Sequence, residues 1–161
     1  MMLNKKIIVG AGLSGLLMMG SVQAEEGLKG GLGLGIPYGL LGGNLEYSLN
    51  DYAALSGGVG ITPGGVGWSV GARVYAPAIG KVRPRLSAYH GVVAVLETSY
   101  WYGESDYENL TGEAFGVGVE WELPSGDFLA LDILGTNVDI PVDAVEKGSD
   151  IKLSIGYITK F

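Results

Sequence analysis

Apolar and polar residues alternate along most of the chain after residue 27. Between Leu28 and Ile36 the even positions are apolar or glycine, and the odd positions are lysine or glycine. A period of two is the signature of a β-strand whose two faces differ. The same alternation returns in seven later segments. The pattern predicts strands over residues 28–38, 44–49, 52–61, 66–75, 84–97, 112–122, 127–135 and 150–161.

An even number of strands favours a closed antiparallel barrel, in which every strand edge is paired. The predicted strands have lengths near the roughly 9 to 11 residues that a tilted membrane-spanning strand needs. In lipid an open sheet edge has no hydrogen-bond partner, so a membrane sheet has to close. We therefore expect an all-β protein, an eight-stranded antiparallel up-and-down transmembrane β-barrel.

Composition agrees with this architecture and excludes some functions. Glycine accounts for 29 of the 161 residues, which disfavours helices. The chain has no cysteine and a net charge of −7. The acidic balance argues against a nucleic-acid partner, because phosphate binding requires clustered basic side chains. Nothing in the sequence calls for a cofactor or a bound metal, and no residue has the spacing of a metal ligand.

The first 24 residues have the features of a cleavable export signal. Lys5 and Lys6 are followed by an apolar stretch that ends near Gly20, and small residues precede a cleavage site after Ala24. The stretch is shorter than the roughly 20 residues of a membrane-spanning helix. We therefore expect a signal peptide over residues 1–24 and a single barrel domain over residues 25–161.

A second interpretation of the same segment is a dinucleotide-binding fingerprint. Gly10, Gly12 and Gly15 have the G-x-G-x-x-G spacing after a short apolar run. That motif needs a following helix and a second parallel strand, so that the phosphate meets a helix amino-terminus. The glycine-rich segment after Gly15 has no helical period, so the sequence disfavours this interpretation.

Aromatic residues on the apolar face fall at the two ends of the predicted strands. Such girdles are typical of barrels whose aromatic rings lie at the two membrane interfaces. If both termini are periplasmic, the two longest connections, 98–111 and 136–149, face the outside of the cell. The outer group is Tyr38, Trp68 and Phe115, and the inner group is Tyr47, Trp121 and Phe161.

The last strand carries the most specific pattern in the chain. Leu153, Ile155 and Tyr157 alternate toward an aromatic terminus at Phe161. In this respect the chain resembles the small bacterial outer-membrane β-barrels of the outer-membrane protein X and outer-membrane protein A transmembrane-domain type, over residues 25–161. The resemblance implies a location in the bacterial cell outer membrane. It also implies that Tyr157 and Phe161 belong to a signal read by the barrel-assembly machinery.

Charged residues fall on the face opposite the apolar one, together with most glycines. An eight-stranded barrel is just wide enough for its own side chains to fill. We expect these charges to pair inside the lumen, since unpaired buried charges are costly. A soluble barrel of the lipocalin type is the alternative, with its apolar face turned inward. The predicted lumen charge network is Lys29, Glu46, Arg73, Glu120, Asp132 and Lys152.

Two alternatives to a closed, non-enzymatic barrel remain open at this point. Inward glycines at 31, 33, 35, 58, 60, 116 and 118 leave space for a narrow channel or a conduit for a small hydrophobic molecule. The parity of the fifth strand is ambiguous, but lipid exposure of His90 is expensive, so we expect it to face inward. There it supplies, with Ser87 or Ser154 and an acidic residue, the residue types of a lipid-modifying hydrolase or acyltransferase.

The connection 98–111 is the most unusual outer segment, because aromatic and acidic residues are mixed there without any basic residue. Aromatic side chains on an exposed loop give large contact area at small entropic cost. The candidates for binding a surface ligand are Tyr100, Trp101, Tyr102 and Tyr107. Outer-membrane lipids and lipopolysaccharide are the expected neighbours of the barrel. Lys81 and Arg83, near Arg85, are expected to face inner-leaflet phosphates.

Overall fold

The structure is a computed structural model, and it describes residues 27–99, 105–137 and 150–161. These residues form a closed barrel of eight antiparallel strands, in which the last strand pairs with the first. The predicted all-β, eight-stranded architecture is confirmed. The predicted signal peptide, residues 1–24, lies outside the described residues. The strands are β1 (Leu28–Gly35), β2 (Leu40–Asn50), β3 (Ala53–Thr62), β4 (Gly65–Tyr75), β5 (Val82–Ser99), β6 (Ser105–Glu122), β7 (Phe128–Asn137) and β8 (Ile151–Lys160).

Alternation along each strand separates an apolar outer wall from a polar interior. In β8 every odd position from Ile151 to Tyr157 is exposed, and the even positions Ser154, Gly156 and Ile158 are buried. Leu153, an outward residue, is 75% exposed, whereas the inward Arg73 on β4 is 0% exposed. The outer wall of the barrel is therefore apolar, and the interior contains buried charged side chains beside apolar ones such as Leu134 and Ile158.

The two ends of the barrel differ in their connections. At the turn end, short connections join β2 to β3, β4 to β5 and β6 to β7. At the hairpin end, β5 and β6 run for 18 residues each, whereas the other strands have 8 to 11 residues. Pairing of β4 with β5 stops at Gly91, so the β5–β6 hairpin continues beyond that neighbour. The connection between β5 and β6 was predicted over residues 98–111, but it is shorter in the structure, because β5 ends at Ser99 and β6 begins at Ser105.

The connection between β1 and β2 folds into the barrel, which the sequence did not predict. Ile36–Tyr38 form a short 3-10 helix whose three residues are buried, and Gly39 ends it in a left-handed conformation with φ 63°. We call residues 36–39 the inward turn. Tyr38 was expected on the outer aromatic girdle, and this was wrong, because its side chain is 0% exposed inside the lumen.

The other aromatics of the predicted girdles point outward. Trp68 and Phe115, near the hairpin end, are 40% and 56% exposed. Tyr47 and Trp121, near the turn end, are 47% and 53% exposed. Phe161 is half-buried, and its backbone N–H donates to the carbonyl of Leu28 across the closing seam at 3.4 Å.

Candidate internal charge cluster

The interior at the turn end contains a cluster of charged side chains from six strands. Three carboxylates face three cations, so the cluster is balanced in formal charge. None of its members is more than 8% exposed. We call these residues, with one tyrosine, the internal charge cluster: Lys29, Glu46, Arg73, Tyr75, Arg85, Glu120 and Asp132.

Glu46 and its cations form one half of the cluster. Arg73 Nη1 pairs with Glu46 Oε2, and Lys29 Nζ lies 3.1 Å from Glu46 Oε1. Tyr75 Oη lies 2.8 Å from a carboxylate oxygen of Glu46 and 2.8 Å from one of Glu120, so its single proton is shared between the two carboxylates. Hydrogen bonds to ionised groups are the strong ones, and here they offset the cost of burying charge.

Arg85 organises the other half of the cluster. Its Nε and Nη2 atoms donate to the two carboxylate oxygens of Asp132, at 2.9 Å and 2.8 Å, in a bidentate pair. Its Nη1 atom pairs with Glu120 Oε1, and Lys29 Nζ lies 3.4 Å from Glu120 Oε2. The planar guanidinium suits this geometry because its donors match two carboxylate oxygens at once.

Five of the six residues predicted for a lumen network lie in this cluster. Lys152 is the sixth, and it does not belong to the cluster: it is half-buried on β8, opposite Leu134 of β7. Leu134 is 0% exposed and belongs to an apolar group nearer the hairpin end. Along β8, Lys152 lies one inward position before Ser154, which is opposite Asp132.

The sequence analysis missed Arg85, which it named only as a neighbour of Lys81 and Arg83 and did not assign to the lumen network. The structure buries Arg85 to 2% exposure in the lumen. Arg83 lies one inward position closer to the turn end and donates to the backbone carbonyls of Asp51 and Ala76. The available signal was the parity of β5, since Arg85 shares a face with Ser87 and Tyr89.

The inward orientation expected for His90 was wrong. His90 is exposed on the outer wall, where its ring makes an edge contact with Trp68 at a centroid distance of 5.8 Å. Tyr89 faces inward instead, because Gly71 lies opposite it on β4 and leaves room for its ring. Ser87 and Ser154 face the lumen. The structure therefore separates His90 from both serines by the barrel wall, and no triad that includes His90 forms.

The space left by the inward glycines is filled. A Cβ on Gly33 would lie 2.7 Å from the Tyr38 ring, and a Cβ on Gly156 would collide with Tyr38 Oη. A Cβ on Gly58 would collide with the carbonyl of Pro37. These glycines thus provide room for the inward turn, and not for an open pore.

Of the proposed surface-binding residues, only Tyr107 is described. It is 41% exposed on the protruding part of β6, and its hydroxyl lies 3.2 Å from Glu97 Oε1 of β5. Asn109, two residues further along β6, reaches Thr62 Oγ1 at 2.6 Å and the carbonyl of Val66 at 3.0 Å. The hairpin is therefore tied to the β3–β4 turn. Tyr100, Trp101 and Tyr102 lie outside the described residues.

The predicted assembly signal ends the last strand. Tyr157 is 47% exposed on the outer wall, and its hydroxyl donates to Asp127 in the β6–β7 turn. Ser125 donates to the same carboxylate oxygen at 2.7 Å. These hydrogen bonds stabilise the charged carboxylate and so lower the pKa of Asp127 below its usual value, and the hydrogen bond from Tyr157 has the largest effect.

In the described part of the chain, no group of three or more histidine, cysteine, aspartate or glutamate side chains has the arrangement of a metal site. The one helix there, Ile36–Tyr38, is too short to cross a membrane. No protein-family model matches the sequence, and no curated protein matches it. A barrel architecture hosts many functions, so it does not by itself identify a subfamily.

Proposed function

We propose that this protein is an integral β-barrel of the bacterial outer membrane, without catalytic activity, that has a structural or surface-interacting role. The inverted distribution of side chains carries the proposal. In the described residues, 26 large apolar side chains are at least 40% exposed, most of them on the outer wall, and the six charged side chains of the internal charge cluster lie inside. Soluble proteins rarely expose contiguous apolar patches larger than a few hundred Å². In lipid, the apolar outer wall is not exposed to water, so its free-energy cost is removed.

Strand length and aromatic placement support the same location. Six of the eight strands have 8 to 11 residues, close to the roughly 9 to 11 that span a bilayer when tilted. Outward aromatics near each end, such as Trp68 and Trp121, suit the two membrane interfaces. The first 24 residues serve, in this proposal, as the signal for export.

A closed lumen is the second part of the proposal. The internal charge cluster fills the turn end, and the inward turn fills the hairpin end. Lys29 lies between the rings of Tyr75 and Phe128, at 5.1 Å and 5.3 Å from their centroids, so its side chain also occupies the lumen at that end. A channel or a conduit for a hydrophobic molecule is therefore the weaker proposal. Planar-bilayer recordings test this point, since a closed barrel produces no steps in conductance.

The partners we propose follow from this location. Outer-membrane lipids and lipopolysaccharide surround the barrel, and the barrel-assembly machinery reads the last strand through Tyr157 and Phe161. A surface ligand would meet the β5–β6 hairpin, which projects beyond its neighbour β4 and carries Tyr107 and acidic residues. The proposal includes no nucleic-acid partner and no cofactor.

The first experiment is heat modifiability of the chain in detergent micelles, compared by gel mobility with and without boiling. We expect a fast-migrating, β-rich form before boiling and a slower form afterwards. Substituting Val117→Arg at mid-height of the outer wall, where Val117 is 55% exposed, should then destabilise the barrel by about 2–4 kcal/mol in bilayers. Ser125→Arg in the exposed turn is the control. A chain that is soluble without detergent, and indifferent to Val117→Arg, would overturn the proposal.

A further inference from the structure

The lumen opens at the turn end into a cavity of about 350 Å³, which we call the turn-end mouth. Its lining comes from β1, β5, β6, β7 and β8, from the β2–β3 turn and from the β4–β5 connection, so residues around the whole circumference contribute. The cavity is therefore axial, and the buried side chains of Lys29 and Glu120 lie at its inner end. Pockets for small molecules begin at about 300 Å³, so the turn-end mouth has the size for a small ligand.

Cations and aromatic rings alternate across this mouth. The guanidinium carbon of Arg83 lies 4.5 Å from the centroid of the Tyr75 ring, and Lys29 Nζ lies 5.1 Å from the same centroid. Lys29 Nζ is also 5.3 Å from the centroid of the Phe128 ring, and Lys160 Nζ is 4.8 Å from it. Each ring is thus contacted by two cations. The electron-rich faces of the rings attract the cations and so hold their charges at the mouth.

Two of these three cations have no carboxylate partner. Lys29 is paired within the internal charge cluster, whereas neither Arg83 nor Lys160 forms an ion pair among the described residues. Arg83 donates instead to the backbone carbonyls of Asp51 and Ala76. These two hydrogen bonds hold the guanidinium in place and use only part of its set of N–H donors. The mouth therefore contains a positioned guanidinium whose charge no protein carboxylate neutralises.

Carboxylates also line the turn-end mouth, but cations outnumber them. Outside the internal charge cluster the lining has three cations and two carboxylates: Lys81, Arg83 and Lys160 against Asp51 and Glu122. Both carboxylates are exposed to solvent, whereas Arg83 is half-buried. Water screens exposed charges most strongly, so the least-screened charge in this set is positive. This local excess of positive charge occurs in a chain whose net charge is −7.

We propose that the turn-end mouth binds a small soluble oxyanion, that is, a molecule with a phosphate or carboxylate group. Arg83 is the main donor, because the planar guanidinium matches two oxygens of either group at once. Lys160 adds a positive charge from β8, and Lys81 adds another from the β4–β5 connection. Arg83 lies on the inward face of β5, as Arg85 does, and Lys160 lies on that of β8. The site therefore faces the barrel axis and not the surrounding lipid. The inference goes beyond the proposed function and does not depend on a membrane location.

Titration of the folded barrel with inorganic phosphate tests the site, followed by backbone-amide NMR in non-ionic detergent micelles at constant ionic strength. We expect shifts that saturate and that are largest at the turn end. Arg83→Met and Lys160→Gln should each weaken binding about tenfold, because each removes an interaction between two charged groups. Lys152→Gln is the matched control. It removes the same charge from the inward face of β8 near the hairpin end, and it should leave the affinity unchanged.

Removal of a carboxylate gives a change of the opposite sign. Glu122→Gln takes away a negative charge that lines the mouth, so it should strengthen phosphate binding. Glu113→Gln is its control, because Glu113 is exposed on the outer wall, opposite His90, and it should leave the affinity unchanged.

Gel mobility and circular dichroism first show that each variant has folded. Saturable binding that weakens in Arg83→Met and Lys160→Gln, and not in Lys152→Gln, supports the proposal. The proposal is overturned if the unsubstituted chain shows no saturable shifts. An equal loss in Lys152→Gln overturns it too, because the protein would then respond only to overall charge. If Arg83→Met does not fold, the comparison of Lys160→Gln with Lys152→Gln decides alone.

A second titration distinguishes a soluble ligand from a lipid head group. Micelles that contain phosphatidylglycerol present a phosphate on a lipid. If they produce the turn-end shifts and inorganic phosphate does not, the ligand is a head group and the proposal of a soluble ligand is wrong. Shifts with inorganic phosphate and none with phosphatidylglycerol support it.

Discussion

Removing the guanidinium of Arg85 is the sharpest test of the internal charge cluster. In Arg85→Met, Asp132 loses both donors of its bidentate pair, whereas Glu120 retains Lys29 and Tyr75. Breaking a buried ion pair costs roughly 3–5 kcal/mol, because the remaining charge is left uncompensated. Since only one of the two carboxylates is orphaned, we expect a loss of about 3 kcal/mol in the free energy of unfolding.

The assay is urea unfolding of the folded barrel, followed by circular dichroism. With a slope of about 2 kcal/mol per molar urea, a loss of about 3 kcal/mol lowers the midpoint by about 1.5 M. The double variant Arg85→Met with Asp132→Asn removes both charges and leaves Lys29 and Arg73 facing Glu46 and Glu120. We expect it to recover at least half of the loss, because charge balance is restored.

Arg83→Met is the matched control, two residues earlier on the same strand. Arg83 lies half-buried at the mouth of the barrel, donates to two backbone carbonyls and lies 4.5 Å over the Tyr75 ring, and among the described residues it pairs with no carboxylate. Its loss should cost less than about 1 kcal/mol. A midpoint shift for Arg85→Met no larger than that for Arg83→Met would show that Asp132 does not depend on Arg85. A double variant as unstable as the single one would show that the uncompensated charge of Asp132 is not the cause of the loss.

Two further substitutions give direct readings of local structure. Gly156→Ala places a methyl group against the Tyr38 hydroxyl and should lower the free energy of unfolding in urea by about 1–3 kcal/mol. Gly135→Ala is the control, because its added Cβ makes only an ordinary contact at 3.7 Å, and it should leave the urea midpoint unchanged. Tyr157→Phe should raise the pKa of Asp127 in a carboxyl NMR titration. Because the pKa of Asp127 is lowered in the folded state, its contribution to stability is present above its ordinary pKa and is lost as the pH falls through the folded value. In the variant, the pH range between the folded-state pKa of Asp127 and its ordinary pKa becomes smaller. An unchanged pKa of Asp127 would show that Tyr157 does not bind the carboxylate.

The sequence by itself determined the strands and the two faces of most of them. Alternation is a local property, because each residue of a strand points away from its neighbours regardless of the partner strand. That is why residues as far apart as Lys29 and Asp132 were assigned to one interior from their parity alone. The even strand count and the polar inner face then made a closed barrel the expected solution.

The tertiary structure decided every feature that depends on register or on space across the lumen. The parity of β5 followed from Gly71 opposite Tyr89, and a register shift between Val92 and Ala94 then buried both Val92 and Val93, so alternation fails there. Arg85 found its carboxylates on β6 and β7, which no local pattern identifies. The inward turn depends on glycines from distant strands: only when the barrel closes do they meet and form the space that Tyr38 occupies.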